Sequence, residues 1–343
     1  MVRHITAHEW ITNHPDRQLL DVRSPGEYAA GHWPGALNLP LFSDAERAEV
    51  GTLYKQQSPD AALLRGLEIA GVNMRHYVEQ GRLLAANRPL TVHCWRGGQR
   101  SQSMAWLLDK VHPDVEVVTG GYKALRQAGR ALLAHFPRPI MLLGDSTGAG
   151  KTRILKAMAE QGATVVDLEG LAHHKGSAFG ALGQLPQPTV EQFENEVFAA
   201  FAALATGEGT PVGWKTKAVP SGGSISHRSF GNASYKLPWW KWPPPLTWRI
   251  DHLLEEYACF THEELVASFE RIQKRLGGQH VKAAVAALVA NDYRTAAAIA
   301  LGYYDKAYHL SLEKNAQQVV YTHHPEEDNP HEIAKDLLRW YMC

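Results

Sequence analysis

The sequence predicts an α/β protein of two domains, and three observations carry that expectation. An apolar strand, Leu90-Thr91-Val92-His93, runs straight into a thiol at the mouth of a Gly- and Arg-rich turn, Cys94-Trp95-Arg96-Gly97-Gly98-Gln99-Arg100-Ser101. A second, Ile140-Met141-Leu142-Leu143-Gly144, runs into the end of a phosphate-binding loop, Gly148-Ala149-Gly150-Lys151-Thr152. Between them, Pro137 and Pro139 stop helix and mark a boundary. The junction of a strand's carboxyl end with a helix N-terminus is where α/β folds place their chemistry. Residues 1–136 and 137–343 are thus expected to form one domain each, with one anion site apiece.

In the first domain, Gln18–Arg23 and Ala36–Pro40 have the apolar character of short strands, and Ser24-Pro25-Gly26-Glu27-Tyr28 reads as a turn opening a helix. Ser101 to Lys110 has helical spacing through Met104, Leu107 and Leu108. In the second, Thr152 to Gln161 should be the helix after the loop, and Ala163–Leu168 the next strand. From Ile250 onward the pattern is mostly helical, including Glu263 to Leu276 and alanine-rich stretches to about Leu301.

Composition narrows the function classes. Across 343 residues, 35 basic side chains balance 35 acidic ones, so no global field announces a nucleic-acid partner, although a local basic face can serve one. The three cysteines, Cys94, Cys259 and Cys343, are too few and scattered for a disulfide framework or a zinc site, and no metal is assigned. The opening residues lack the apolar core of a signal peptide. No window approaches the ~18 apolar residues that span a bilayer. A soluble, cytoplasmic protein with no membrane partner is expected.

A thiolate is the working nucleophile, and a free thiol near pKa ~8.5 is mostly protonated at neutral pH. Backbone N–H groups at a helix N-terminus, together with Arg96 and Arg100, would stabilise the anion at Cys94. Gly97, Gly98 and Ser101 complete a cradle suited to a persulfide, a perselenide or a phosphate-like oxyanion, with Arg100 placed to close over it. A buried structural cysteine is the bland alternative, and the spacing also fits a cysteine phosphatase loop.

The second loop departs from the usual pattern of Gly, four residues, Gly-Lys and Ser or Thr: Asp145 stands where the first Gly belongs, and Gly144 comes one place early. The expectation is that Gly148, Gly150 and Lys151 cradle a diphosphate and that Thr152 ligates Mg²⁺. For RNA, Lys123, Arg126, Arg130 and Arg138 form a basic run near the boundary, and Lys175 sits in a His-rich loop. A solvated helix face is the alternative for each of them.

Leu20-Asp21-Val22-Arg23, Glu27-Tyr28 and Gly31-His32-Trp33-Pro34-Gly35-Ala36 resemble the N-terminal signature of the rhodanese family, with Cys94 at the nucleophile's position. The cysteine loop is longer than in common thiosulfate sulfurtransferases. The expected fold is then an N-terminal rhodanese-like domain followed by a P-loop NTPase-like α/β domain with a helical C-terminal part.

Fusion of the two resembles the bacterial tRNA 2-selenouridine synthase family. Further matches are Val50–Gln57, Gly120–Arg126, Asp167–Gly180 and Tyr303-Tyr304-Asp305. The resemblance implies a transferase that converts wobble 2-thiouridine in tRNA to 2-selenouridine. S-geranylation by geranyl diphosphate comes first, followed by selenium transfer from selenophosphate. Cys94 would carry selenium and Lys151 would hold the diphosphate; selenophosphate and the synthase that supplies it are the implied partners, with no tightly bound cofactor. The alternatives are a rhodanese-type sulfurtransferase with a fused nucleotide-binding domain, and a catalytically impaired tRNA-binding relative.

Residues 214–247 are compositionally foreign, with Trp214, Trp239, Trp240 and Trp242 beside Pro243-Pro244-Pro245. The resemblance implies an acidic stretch there instead. Two compensating single-base slips would turn Glu-Asp-Glu-Ser and a following strand into this run. The competing reading is an aromatic-basic insertion that stacks on RNA bases. A Pro-, Gly- and Ser-rich run is not expected to bury so many indoles.

Overall fold

The computed structural model describes residues 2–13, 16–137, 140–205, 211–214, 239–314, 317 and 319–342. The chain forms two compact units, Met1–Phe136 with Thr189–Thr206, and Pro137–Pro188 with Gly207–Cys343.

The first unit runs β1 (Arg3–Ile5), α1 (Ala7–Asn13), β2 (Gln18–Asp21), α2 (Pro25–Ala30), β3 (Leu37–Asn38), α3 (Asp44–Gln56), α4 (Pro59–Ala85), β4 (Leu90–His93), α5 (Gln99–Asp109), β5 (Val115–Val118) and α6 (Gly121–Ala134). Its five parallel strands lie in the order β1-β5-β4-β2-β3. Strands β2, β4 and β5 are buried at every position, as expected of a parallel sheet covered on both faces. Local sequence sets the helix starts. Ser24 with Glu27 and Ser43 with Glu46 form capping boxes that satisfy orphan N–H groups of α2 and α3. Ser58 caps α4 and is followed by Pro59, whose missing N–H costs nothing in the first turn. Leu20, Val92, Met104, Leu108 and Val117 are among the core residues.

The second unit opens with β6 (Met141–Leu143), α7 (Lys151–Glu160), β7 (Thr164–Val166) and α8 (Leu168–Ala172). The chain then returns to the first unit as α9 (Val190–Ala205), which lies beyond the proline boundary and yet packs on α6. Gly129 of α6 permits the contact, since a Cβ there would stand 2.6 Å from the Cβ of Phe198.

The second unit resumes with β8 (Pro211–Trp214), β9 (Trp239–Lys241), α10 (Leu246–Tyr257), α11 (His262–Arg271), α12 (Gln273–Leu276), α13 (Gly278–Val289), α14 (Tyr293–Lys314), β10 (Val319–Thr322) and α15 (Pro330–Met342). Its parallel strand order is β10-β9-β6-β8-β7, which places the strand before the phosphate loop at the centre.

Two sequence expectations change here. Strand β10 interrupts the helical C-terminal part. Trp240 and Trp242, in the compositionally foreign run, are buried to 0% and 1% exposure against Met141, Leu143, Ile333 and Leu337. The neighbouring helices supply the fitted core that the run itself lacks. Residues 215–238, the larger part of that run, lie outside the described residues, as does Arg138.

Candidate functional site

In the first unit, buried β4 delivers Cys94 to the turn before α5. Cys94 is 3% exposed, with its Sγ 3.3 Å from the Ser101 Oγ and 3.9 Å from the Gly98 carbonyl. The Ser101 hydroxyl also donates to the Gly98 carbonyl at 3.0 Å. The loop's own carbonyls are held from α6: Tyr122 N–H donates to the Cys94 carbonyl at 2.8 Å, and Lys123 N–H to the Trp95 carbonyl at 3.1 Å. This occupies acceptors that would repel an anion. The approach needs glycine, because a Cβ on Gly121, at φ +59°, would stand 2.3 Å from the Cys94 carbonyl oxygen.

Beneath the loop lies a buried charged cluster. Arg23 pairs with Asp21 at 2.6 Å, lies 3.8 Å from the centre of the Tyr122 ring and donates to the Gly31 carbonyl. Burial alone would raise the Asp21 carboxyl, but His93 and Arg23 outweigh it and bring it below its ordinary value. His93, 3.8 Å from Asp21, is pushed down by burial, against the raising charge of Asp21. The Tyr122 hydroxyl donates to Glu191 and accepts from Asn195, both on α9. Its phenol is pushed up to about 12, chiefly by burial.

The cradle residues divide in this structure. Gly97, Gly98 and Ser101 shape the turn around Cys94. Arg96 is exposed beside it, with no hydrogen bond or ion pair among the described residues. Arg100 turns instead to Glu27 at 2.7 Å, so it does not close over the sulfur. Of the basic run, Lys123 is exposed. Arg126 binds the Glu191 carbonyl, Asn195 and Glu194 on α9, and Arg130 stands 3.6 Å from Glu194. These partners were invisible in sequence because α9 is distant along the chain.

In the second unit, β6 leads through Asp145 to the loop before α7. Three side chains hold the loop's carbonyls: Arg249 donates to Thr147 at 2.9 Å, the Trp242 indole to Ala149 at 3.0 Å, and His252 Nδ1 contacts Gly148 at 2.7 Å. Asp305 braces Arg249, and Asp328 braces His252. Gly148 is at φ +77°, where a Cβ would stand 2.9 Å from the Arg249 carbonyl. The Lys151 ammonium donates to the carbonyls of Asp145 and Ser146. Burial lowers its pKa against the raising charges of Glu169 and Asp145.

Asp145 is 4% exposed; one carboxylate oxygen accepts from Ser146 N–H and the other has no partner. Burial raises its pKa. Gly148, Gly150, Lys151 and Thr152 line one pocket with Arg153, Lys156 and Glu169. Lys175 lines it too, 2.6 Å from Glu256, which places it at the phosphate loop. Arg249, His252, Trp242 and Glu169 escaped the sequence reading. Only Glu169 carried a signal, three residues after a strand that follows the loop helix. Among the described residues, no group of three His, Cys, Asp or Glu side chains is arranged to hold a metal ion, and no helix is long and apolar enough to cross a membrane.

Two family models match the chain: a rhodanese-like domain over residues 6–128 and the AAA domain of tRNA 2-selenouridine synthase over 138–333. The tRNA 2-selenouridine synthase of Cronobacter sakazakii is 34% identical over 345 aligned residues, covering 88% of this chain and 89% of that protein. That of Nitrosomonas europaea is 35% identical over 254 residues, covering 72% of this chain and 65% of that one. Among solved structures, a rhodanese-related protein of Thermoplasma volcanium is 20% identical, with a TM-score of 0.24, and covers 37% of this chain and 93% of its own. With a thiol loop in one α/β unit, a phosphate loop in the other and relatives aligned across both, the chain belongs to the tRNA 2-selenouridine synthase family.

Proposed function

We propose that this protein replaces the sulfur of wobble 2-thiouridine in tRNA with selenium, in two steps divided between its loops. In the first, the thiocarbonyl sulfur attacks C1 of geranyl diphosphate; a C–S bond forms, the C–O bond breaks and diphosphate leaves. N–H groups of the Gly148–Lys151 turn and the Lys151 ammonium stabilise the departing charge. Thr152 and Glu169 offer oxygen donors on the same pocket, the type magnesium takes, so an ion bound there would help neutralise that charge. In the second step, the selenide-level selenium of selenophosphate, held in the anion cradle at Cys94, attacks C2 of the geranylated base; a C–Se bond forms, the C–S bond breaks and geranylthiol leaves, and water then cleaves the Se–P bond to release phosphate.

One observation carries the division of labour. In each unit, partners from outside the loop engage its carbonyls, and one loop holds a thiol while the other holds an ammonium. Lys123, exposed beside the cysteine loop, offers an ammonium to a tRNA phosphate.

Selenophosphate and thiosulfate, offered separately to the purified protein with geranylated tRNA, test the second step. Selenophosphate should give 2-selenouridine, whereas turnover of thiosulfate alone would identify a plain sulfurtransferase.

A further inference from the structure

In the second unit, the outer face of α11 to α13 carries basic side chains without acidic partners. From Arg271 to Asn291 the sequence contains no acidic residue. Helix α11 passes into α12 through one turn residue, Ile272, so Arg271, Lys274 and Arg275 recur at helical spacing on one face. Phe269, Ile272 and Leu276 point the other way, into the helical core. Lys282 on α13 follows across the Gly277-Gly278 turn, and all four cations are exposed. Lys274, Arg275 and Lys282 make no hydrogen bond or ion pair among the described residues, while Arg271 donates to the Ala178 carbonyl at 3.3 Å. Glu270 borders the face without an ion pair to any of them.

A merely solvated helix face looks different in this protein. On α4, Arg65 pairs with Glu49 and Glu68, and Arg75 pairs with Glu79. On α11 and α12, like charges stand one turn apart, where they repel, and no carboxylate among them offsets this. A polyanion would. The exposed residues between Arg271 and Lys282 are all polar or glycine, whereas a helix that lies on a bilayer adds apolar side chains to its basic ones. The face also reaches the phosphate site. Arg271 holds Ala178, which follows Lys175, Gly176 and Ser177 in the lining of the pocket around Lys151. An RNA that brings its wobble sulfur to that pocket brings flanking backbone to the pocket's rim.

We infer that this face of α11 to α13 binds the sugar–phosphate backbone of the tRNA, with Lys274, Arg275 and Lys282 as its phosphate contacts; this rests on the tRNA reading above. Contacts of this kind carry no base information, so they set how the RNA lies and not which base is read. The face supplies salt-sensitive affinity, and recognition of the wobble base belongs to other residues. It takes the role that the sequence suggests for Arg126 and Arg130, whose charges α9 already engages.

The test measures the affinity of the full-length protein for 2-thiouridine tRNA across a range of salt concentrations. Wild type is compared with the triple variant Lys274→Gln, Arg275→Gln, Lys282→Gln, in which glutamine removes charge and keeps helix propensity. The triple variant should bind at least about tenfold more weakly at about 0.1 M salt, and its slope of log affinity against log salt should flatten by about 2. Inorganic diphosphate should bind both proteins within about twofold, since no pocket residue changes. Arg65→Gln with Arg75→Gln, on α4, should leave tRNA affinity and slope as in wild type. Wild-type affinity and slope in the triple variant, or an equal effect from the α4 variant, would overturn the inference and leave the tRNA reading standing. Phosphatidylglycerol vesicles that bind wild type but not the triple variant, with tRNA affinity intact, would assign the face to a membrane instead. Wild-type protein that does not bind the tRNA would overturn both readings.

Discussion

The indole N–H of Trp242 donates to the carbonyl of Ala149 at 3.0 Å, so a tryptophan from the compositionally foreign run holds the back of the phosphate loop. Trp242→Phe keeps most of the buried ring but leaves the Ala149 carbonyl without that donor. A lost hydrogen bond of about 1 kcal/mol corresponds to roughly fivefold weaker diphosphate binding. Titration calorimetry with inorganic diphosphate checks this, and unaltered affinity would show that the loop holds its shape without the indole.

Asp145 occupies the place of the usual first glycine, buried and with one oxygen unpartnered. Its charge stands near the anion the loop is proposed to bind, and its side chain adds no ligand contact that glycine would lose. Asp145→Gly should therefore bind diphosphate as well as wild type or more tightly. A clear loss would remove the basis for assigning diphosphate to this loop.

Gly121 is where α6 meets the cysteine loop. A methyl group there would stand 2.3 Å from the Cys94 carbonyl oxygen and 2.5 Å from the Gly97 nitrogen, both backbone atoms. Gly121→Ala should destabilise the first unit by about 2 kcal/mol or more and slow alkylation of Cys94, while diphosphate binding in the second unit stays unchanged. Urea unfolding and thiol labelling together measure this. A variant of wild-type stability would contradict the close approach.

The Glu27–Arg100 pair gives the first unit a pH dependence. Burial alone would raise the Glu27 carboxyl, but Arg100, the Ser24 N–H and Arg47 hold it below its ordinary value. A carboxyl depressed on folding contributes stability that is complete above its unfolded pKa, about 4.3, and lost as pH falls through the folded value. The stability gap between wild type and Glu27→Gln should be widest near neutral pH and close below about pH 4. Unfolding midpoints at several pH values read it, and a gap independent of pH would remove the pair from the account.

Much of both sites was legible in the sequence because strand, loop and helix are consecutive there. Cys94 after Leu90–His93 and Lys151 after Ile140–Gly144 needed only local pattern. What holds those loops was not legible. Tyr122 and Lys123 reach the cysteine loop from the next helix but one, while Arg249 and His252 reach the phosphate loop from about a hundred residues away. Arg126 and Arg130 illustrate the same limit: their helix reads as a basic face until α9, beyond the proline boundary, supplies Glu191, Glu194 and Asn195. Trp240 and Trp242 are buried by α7 and α15, partners that the composition of their own segment could not reveal.

The central claim is that the phosphate loop activates and the thiol loop exchanges. Mass spectrometry of wobble nucleosides, after incubating 2-thiouridine tRNA with geranyl diphosphate and selenophosphate, tests it most directly. Wild type should yield 2-selenouridine, Cys94→Ser should stop at geranylated 2-thiouridine, and Lys151→Met should leave 2-thiouridine unchanged. Selenouridine formed by Cys94→Ser, or geranylation at the wild-type rate by Lys151→Met, would contradict the account.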